Sequence, residues 1–288
     1  MNKESINYQA SAADQGSPLD RYLRAQGISR HFLICLRNQD QVLLNGRIQP
    51  FHTPLREGDL IEVDPYLRED STVIPEGMDL DILYEDPDFL AINKPAGVLS
   101  HPLGDKEPAG TIANGVRDYL LRQDITAIHP VNRLDRTTSG IILFAKHPIA
   151  QHHLIQHKPI KEYMALAEGI LREDHGVIDA PIAKIDAPSI RRIVTPTGQP
   201  SQTEYQVIST GDNHSLLRIT LHTGRTHQIR VHLSHIGHPL VGDFLYGKEN
   251  APRLLLHAWR LTFHPLRSVG PLVLTAPLPG LFEDYLVS

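Results

Sequence analysis

Cysteine is almost missing from this chain of 288 residues: Cys35 stands alone. No disulfide can form within the chain, and a cysteine-ligated zinc site is excluded. The neighbours Leu33, Ile34 and Leu36 mark Cys35 as a core residue. Long apolar runs are also lacking, and none approaches the ~20 residues that cross a bilayer. The opening segment MNKESINYQASAADQGS has no apolar stretch and no cleavage pattern, so it does not read as a secretory leader. A cytoplasmic protein is expected. Positive charge is not in surplus: 28 Lys plus Arg face 33 Asp plus Glu, a net charge of −5. That excludes a non-specific polycation, and any anion-binding surface must be a local one built from a few well-placed arginines. There are no internal repeats and no low-complexity tract.

What is present fits a folded globular chain, 41% hydrophobic and 21% charged, long enough for one large domain and a small one. Residues 1–17 are polar and aperiodic and are expected to be a mobile tail. Residues 18–64 read as a compact unit. Leu19, Tyr22 and Leu23 have helical spacing, Ser29 is placed to cap a second helix carrying Phe32, Leu33 and Leu36, and Asn45-Gly46 marks a hairpin turn. A strand over 60–63 closes the unit. Residues 65–78, rich in proline and charge, are expected to be a linker. Beyond 79, strands are predicted over 89–92, 140–145, 163–167, 203–208, 216–221 and 272–275. Ile229, Leu233 and Ile236 share a helical face that Gly237 ends.

The most informative stretch is HPVNRLDRTTSGIILFAK at 129–146. It sets one carboxylate, Asp135, between the guanidinium groups of Arg133 and Arg136, on a small-residue turn that runs into an apolar strand. A carboxylate held rigid by a buried strand suits a nucleophile or base, and flanking arginines suit a polyanion such as RNA. An isolated Asp-Arg pair would more often be a surface ion pair, but this one is not isolated. The stretch resembles the catalytic motif of the RluA-type pseudouridine synthases. Further segments resemble that family in order: Leu83 to Asp86, Ile92-Asn-Lys-Pro-Ala-Gly97, His101-Pro102, Lys161-Glu-Tyr163, Thr223-Gly-Arg-Thr-His-Gln-Ile-Arg230, Gly237-His-Pro-Leu-Val-Gly-Asp243 and Leu256-His-Ala258. Together they cover about residues 79–288.

The resemblance implies an α+β fold whose catalytic domain, 79–288, is a mixed, mostly antiparallel sheet. It also implies isomerisation of uridine in RNA with no cofactor and no metal. Asp135 becomes the carboxylate near the reacting atoms, Arg230 its positive partner, and Tyr163 the ring that stacks on an extruded base. Arg133 would fill the gap that the base leaves, with Arg136, Arg225, Asn132 and Lys161 also on the RNA. Asn132 stands where the family commonly has His, which removes a titratable group. The unit over 18–64 resembles the ribosomal-protein-S-four-like RNA-binding domain, through Leu19-Asp20, Ser29-Arg30, Val42 to Gly46 and Gly58 to Val63. Its second helix is less basic than usual, and the segment balances six Arg against six acidic residues. Ribosomal RNA is favoured over transfer RNA as substrate because of that extra unit. Nothing in the sequence requires an obligate assembly or a membrane, and a monomer is expected.

Two other functions compete. A non-catalytic RNA-binding or ribosome-assembly protein would not require Asp135, Tyr163 and Arg230 together. A metallohydrolase would use some of the 17 histidines. His153 and His157 are four apart, but the His-Glu-x-x-His arrangement is absent.

Overall fold

A computed structural model describes residues 3–186 and 189–285. Its N-terminal part runs β1 (Ile6–Gln9), α1 (Leu19–Ala25), α2 (Arg30–Asn38), β2 (Val42–Leu44), β3 (Arg47–Ile48) and β4 (Leu60–Val63). Ser29 caps α2, its hydroxyl accepting from the Phe32 N–H at 3.2 Å. Asn45 and Gly46 both take positive φ, which lets β2 and β3 turn in two residues. The strands pair in the order β1-β4-β2-β3. The two helices cover this sheet and bury Leu19, Leu23, Phe32 and Leu36 against Val42, Ile61 and Val63. Cys35 sits half-buried at the edge of that core.

Two expectations are corrected here. Within the 1–17 segment, expected to be a mobile tail, residues 6–9 are held in place, because β1 pairs with β4 and packs Ile6 and Tyr8 on the core. Four alternating residues inside a polar segment carry too little periodicity to stand out, and their burial comes only from the strand they join. The 65–78 segment has no regular structure but is docked rather than loose. Tyr66 and Leu67 are buried, the Tyr66 hydroxyl donates to the Pro87 carbonyl at 2.7 Å, and the Glu69 N–H donates to Thr126 Oγ1 at 3.0 Å.

The rest of the chain contributes β5 (Ile82–Glu85), β6 (Phe89–Lys94), α3 (Ile112–Leu121), β7 (His129–Pro130), β8 (Ser139–Ala145), α4 (Pro148–Gln156), β9 (Ile160–Glu168) and β10 (His175–Asp179). It continues with β11 (Ile182–Lys184), β12 (Arg192–Val194), β13 (Gln202–Thr210), β14 (His214–Leu221), α5 (Gln228–His235), β15 (Leu256–Phe263) and β16 (Leu272–Thr275). The main sheet runs β10-β13-β14-β9-β15-β8-β6-β5, with β16 on β15 and β7 on β8; β11 and β12 pair separately. Only β8 against β15 is parallel within it, so the sheet is mixed and mostly antiparallel, and the fold is α+β. Among the described residues no helix is long and apolar enough to cross a membrane.

β8 is buried along its whole length, with apolar side chains on both faces. Ile142 and Phe144 pack toward α3, while Ile141 and Leu143 pack toward α4. A strand covered on both sides is a continuous apolar run in sequence, and it fixes the turn that feeds it. Gly140 allows a close crossing at the start of that strand. Its φ is +108°, and a Cβ there would lie 2.2 Å from the Ala258 carbonyl oxygen of β15. β15 is central yet was not among the predicted strands, since His257, Trp259 and Arg260 interrupt its apolar pattern.

Buried histidines make this fold acid-sensitive. His257 is pulled down to about 4 by burial and then by the Arg253 charge; His129 reaches about 4 through burial and then His147. The unfolded chain takes up these protons near pH 6.5. Between about 6.5 and 4 the unfolded state therefore binds more protons, so stability falls as pH drops through that window and levels off below it. Calorimetry from pH 7.5 to 4 should find the unfolding midpoint several degrees lower at the acid end. The His257→Asn variant should lose part of that dependence.

Candidate active site

A cavity of about 310 Å³ opens where the turn before β8, the start of β9 and the start of α5 converge. The turn carrying Asp135 is pinned from behind. Ser100 Oγ accepts from the Leu134 N–H at 3.0 Å and donates to the Leu134 carbonyl at 2.7 Å. The Thr138 N–H closes the turn on the Asp135 carbonyl at 3.1 Å. Lys94, fully buried, reaches the carbonyls of Pro95, Val98 and Arg136 at 2.8, 2.8 and 3.2 Å. Burial lowers Lys94 to about 7 against the opposing pull of the Asp135 charge. With its backbone held, Asp135 keeps a carboxylate that is 25% exposed toward the cavity.

Two groups face that carboxylate. Arg230 Nη1 lies 3.8 Å from Asp135 Oδ2, and His227 Nε2 lies 3.9 Å from the same oxygen. Arg230 is buried and held by a two-pronged bond to Asp243, Nε to Oδ2 at 2.7 Å and Nη2 to Oδ1 at 2.6 Å. Burial would lower the guanidinium, but the bonds and charge of Asp243, with Asp135, outweigh it and raise the group further. Arg230 is thus a fixed charge between two carboxylates, gripping Asp243 closely and standing 3.8 Å from Asp135. Tyr246 and Phe244 flank it, 5.3 and 5.6 Å from the guanidinium carbon.

His227 begins α5 in a left-handed backbone conformation, φ 58°. The Tyr246 hydroxyl accepts from the Arg192 N–H at 2.7 Å, so its own hydrogen is free for His227 Nδ1, 3.2 Å away. This network puts the imidazole proton on Nε2, directed at Asp135. Burial lowers His227, as do the charges of Arg230 and Arg192, while Asp135 opposes them. Burial thus favours the neutral ring, whose Nε2 stands 3.9 Å from the carboxylate, beyond hydrogen-bond reach. Tyr163 forms the wall opposite, buried on β9. Burial, and then the Asp135 charge, raise its phenol, so it stays protonated at neutral pH.

Of the residues singled out from sequence, Asp135, Tyr163, Arg230, Arg133, Asn132, Lys161 and Arg225 all line this cavity. Arg133 and Arg225 are exposed at its mouth. Arg136 does not line it and pairs with Glu107 outside. Asn132 lines the wall, but its amide serves the sheet, with Nδ2 donating to the Ile141 carbonyl at 3.1 Å and Oδ1 accepting from the Leu143 N–H at 2.7 Å. α5 starts at Gln228, and the Arg225 N–H just before it donates to Gln228 Oε1 at 2.9 Å, so it does not stand open for a phosphate. Asp243, His227 and Tyr246 complete the site. The first two lie inside segments that resemble a family, but nothing in their spacing shows that they meet Arg230 and Asp135. Tyr246 carries no signal at all.

The clustered histidines do other work. His232 bonds Thr203 Oγ1 through Nδ1 and the Ala180 carbonyl through Nε2, both at 2.9 Å. Among the described residues no three His, Cys, Asp or Glu side chains gather as metal ligands.

The chain is similar in sequence and fold to known proteins. A sequence model of the family described as RNA pseudouridylate synthase matches residues 88–235. The uncharacterised RNA pseudouridine synthase YjbO of Bacillus subtilis is 39% identical over 268 residues, covering 90% of this chain and 94% of that one. Ribosomal large subunit pseudouridine synthase D of Buchnera aphidicola is 36% identical, covering 100% of this chain and 99% of that one. Among solved structures, human RNA pseudouridylate synthase domain containing 1 superposes with a TM-score of 0.58 at 26% identity, covering 73% of this chain and 86% of that one.

Proposed function

Because the chain belongs to the RNA pseudouridylate synthase family and isomerises uridine in RNA, we propose that Asp135 is its catalytic carboxylate and that the cavity around it receives the target base. The observation that carries this reading is the Asp135 carboxylate on a pinned turn, faced by a fixed Arg230 and enclosed against the Tyr163 ring. The reaction breaks the bond from base N1 to ribose C1′ and forms one from base C5 to C1′. A proton leaves C5 and one is gained at N1, so no redox change occurs. The site must hold the detached uracil while it turns, and a closed wall around one carboxylate suits that task.

Arg230 keeps Asp135 ionised beside an anionic substrate, since an opposite charge within about 4–6 Å favours the charged form. Tyr163 offers a flat face to the extruded base, worth about 1–3 kcal/mol in stacking, which helps offset the few kcal/mol that flipping costs. Tyr163, its phenol protonated, lines the same cavity as Asp135. Arg133 at the mouth is placed to enter the space that the base vacates, and Arg225 and Lys161 to meet phosphates. Arg136 contributes to RNA from outside the cavity, and Asn132 acts on the RNA only by shaping the wall.

Residues 18–64 are read as a separate S-four-like RNA-binding unit on the catalytic domain, 79–288. Relatives named for the large ribosomal subunit support ribosomal RNA over transfer RNA as substrate. A cytoplasmic monomer fits this role. The test is a single-nucleotide map of pseudouridine in RNA from cells lacking the protein and from the same cells with it restored. Uridines modified only when the protein is present identify the substrate. A map that does not change between the two would count against a cellular RNA target.

A further inference from the structure

A second cavity of about 600 Å³ adjoins the first, and the two share Val131, Lys161, Leu221, Gly224 and Arg225 as a common wall. Part of its lining is an apolar patch of Pro130, Leu154, Pro159 and Ile155, the last 60% exposed although it is a large aliphatic side chain. Lys158, Lys161 and Arg225 also line it, and no carboxylate does. Neither lysine's ammonium group has a hydrogen-bond or ion-pair partner among the described residues. Lys161 is also partly buried, which lowers its ammonium below the usual lysine range with no counter-charge nearby to oppose it. A desolvated cation without a partner is costly unless a ligand supplies the negative charge.

We propose that this second cavity is a subsite for the nucleotide covalently next to the target uridine. The phosphate joining the two is held at the shared wall by Lys161 and Arg225. The inference rests on the reading that the first cavity holds the extruded uridine. From there covalent connectivity does the rest: if neighbouring nucleotides occupy adjoining cavities, their phosphodiester must cross the wall between them. That wall is where the unpaired Lys161 stands. A nucleotide presents the flat faces of its base and an anionic linkage, which matches an apolar patch beside lysine and arginine side chains. A free anion would leave the apolar patch unused, and an apolar peptide would leave Lys161 unpaired. The enzyme would thus require two adjacent nucleotides to leave the RNA stack, and the second would contribute to site choice.

The test uses a stem-loop transcript spanning the mapped uridine, in three forms: unmodified, abasic just 5′ of the target, and abasic just 3′ of it. One abasic form should raise KM for the wild-type enzyme about tenfold or more, the effect of one lost stacked base, with kcat little changed. Ile155→Glu, at an exposed position that tolerates charge, should impose the same loss on the unmodified RNA and remove further sensitivity to the missing base. Lys161→Met should weaken binding of all three forms and lower the slope of log affinity against log salt by about one, which loss of packing alone would not do. Equal kcat/KM on all three RNAs, or an unchanged salt slope in Lys161→Met, would overturn the subsite and leave the isomerase site standing. If wild type does not turn over the unmodified RNA, the reading of the first cavity falls, and the subsite with it.

Discussion

The Asp135→Asn protein should bind its RNA and fail to isomerise it, with turnover reduced by about 10⁴-fold or more, the scale on which removing a central reacting group acts. Asparagine keeps the shape of aspartate but not its charge, and its amide oxygen, although it has lone pairs, is too weak a nucleophile and base to attack carbon or take a proton at neutral pH. The fold should survive for a structural reason. Arg230 is gripped by Asp243 at 2.6 and 2.7 Å and only approached by Asp135 at 3.8 Å, so losing the Asp135 charge leaves the guanidinium paired. The turn itself is held through backbone bonds from Ser100 and Lys94 that the substitution does not touch. Single-turnover assays with excess enzyme, alongside filter binding, separate the two effects. A variant that converts uridine within tenfold of the wild-type rate would sink the assignment of Asp135.

Asp243→Ala should be the more damaging change to the molecule as a whole. It leaves the charge of Arg230 buried at 2% exposure with its close partner gone, and breaking a buried ion pair from one side costs about 3–5 kcal/mol. The same carboxylate accepts from the N–H groups of Leu245 and Tyr246 at 3.0 and 3.2 Å, so the loop beyond it should loosen too. Freed from Asp243, Arg230 should close on Asp135 and hold it away from substrate, so kcat falls more than KM rises. Asp243→Asn, which keeps the acceptor oxygen for part of this network, should recover some stability but little activity. Denaturant unfolding of both variants, with kcat and KM measured below the unfolding range, checks each part. Wild-type stability in Asp243→Ala would show that Arg230 is not held as the structure describes.

Local chemistry was legible wherever it depends on near neighbours in the chain. The hairpin at Asn45-Gly46, the Ser29 cap, the stop at Gly237 and the apolar run of β8 each follow from a few adjacent residues, and each is found. Asp135 stood out because its turn and strand are contiguous, and its resemblance to a family carried Tyr163 and Arg230 with it. Elements whose burial depends on distant partners were not legible. β1 is a strand only because β4 lies beside it. β15 runs through the middle of the sheet with His257, Trp259 and Arg260 in its length, because β8 and β9 supply the pairing that its own composition does not announce.

The same division runs through the site. By itself the sequence marked out the candidate groups: one carboxylate between two arginines, a tyrosine on a strand, a third arginine on a short helix. Only the tertiary structure decided what each group spends its bonds on. It turned Arg136 to Glu107 and Asn132 into the sheet, gave Arg230 a second carboxylate, set His227 against Asp135, and left Lys161 without a partner between two cavities. Residue type fixes what a side chain can donate or accept, but its partner is fixed by distances of a few ångströms between segments far apart in the chain. Those distances exist only once the sheet has closed around them.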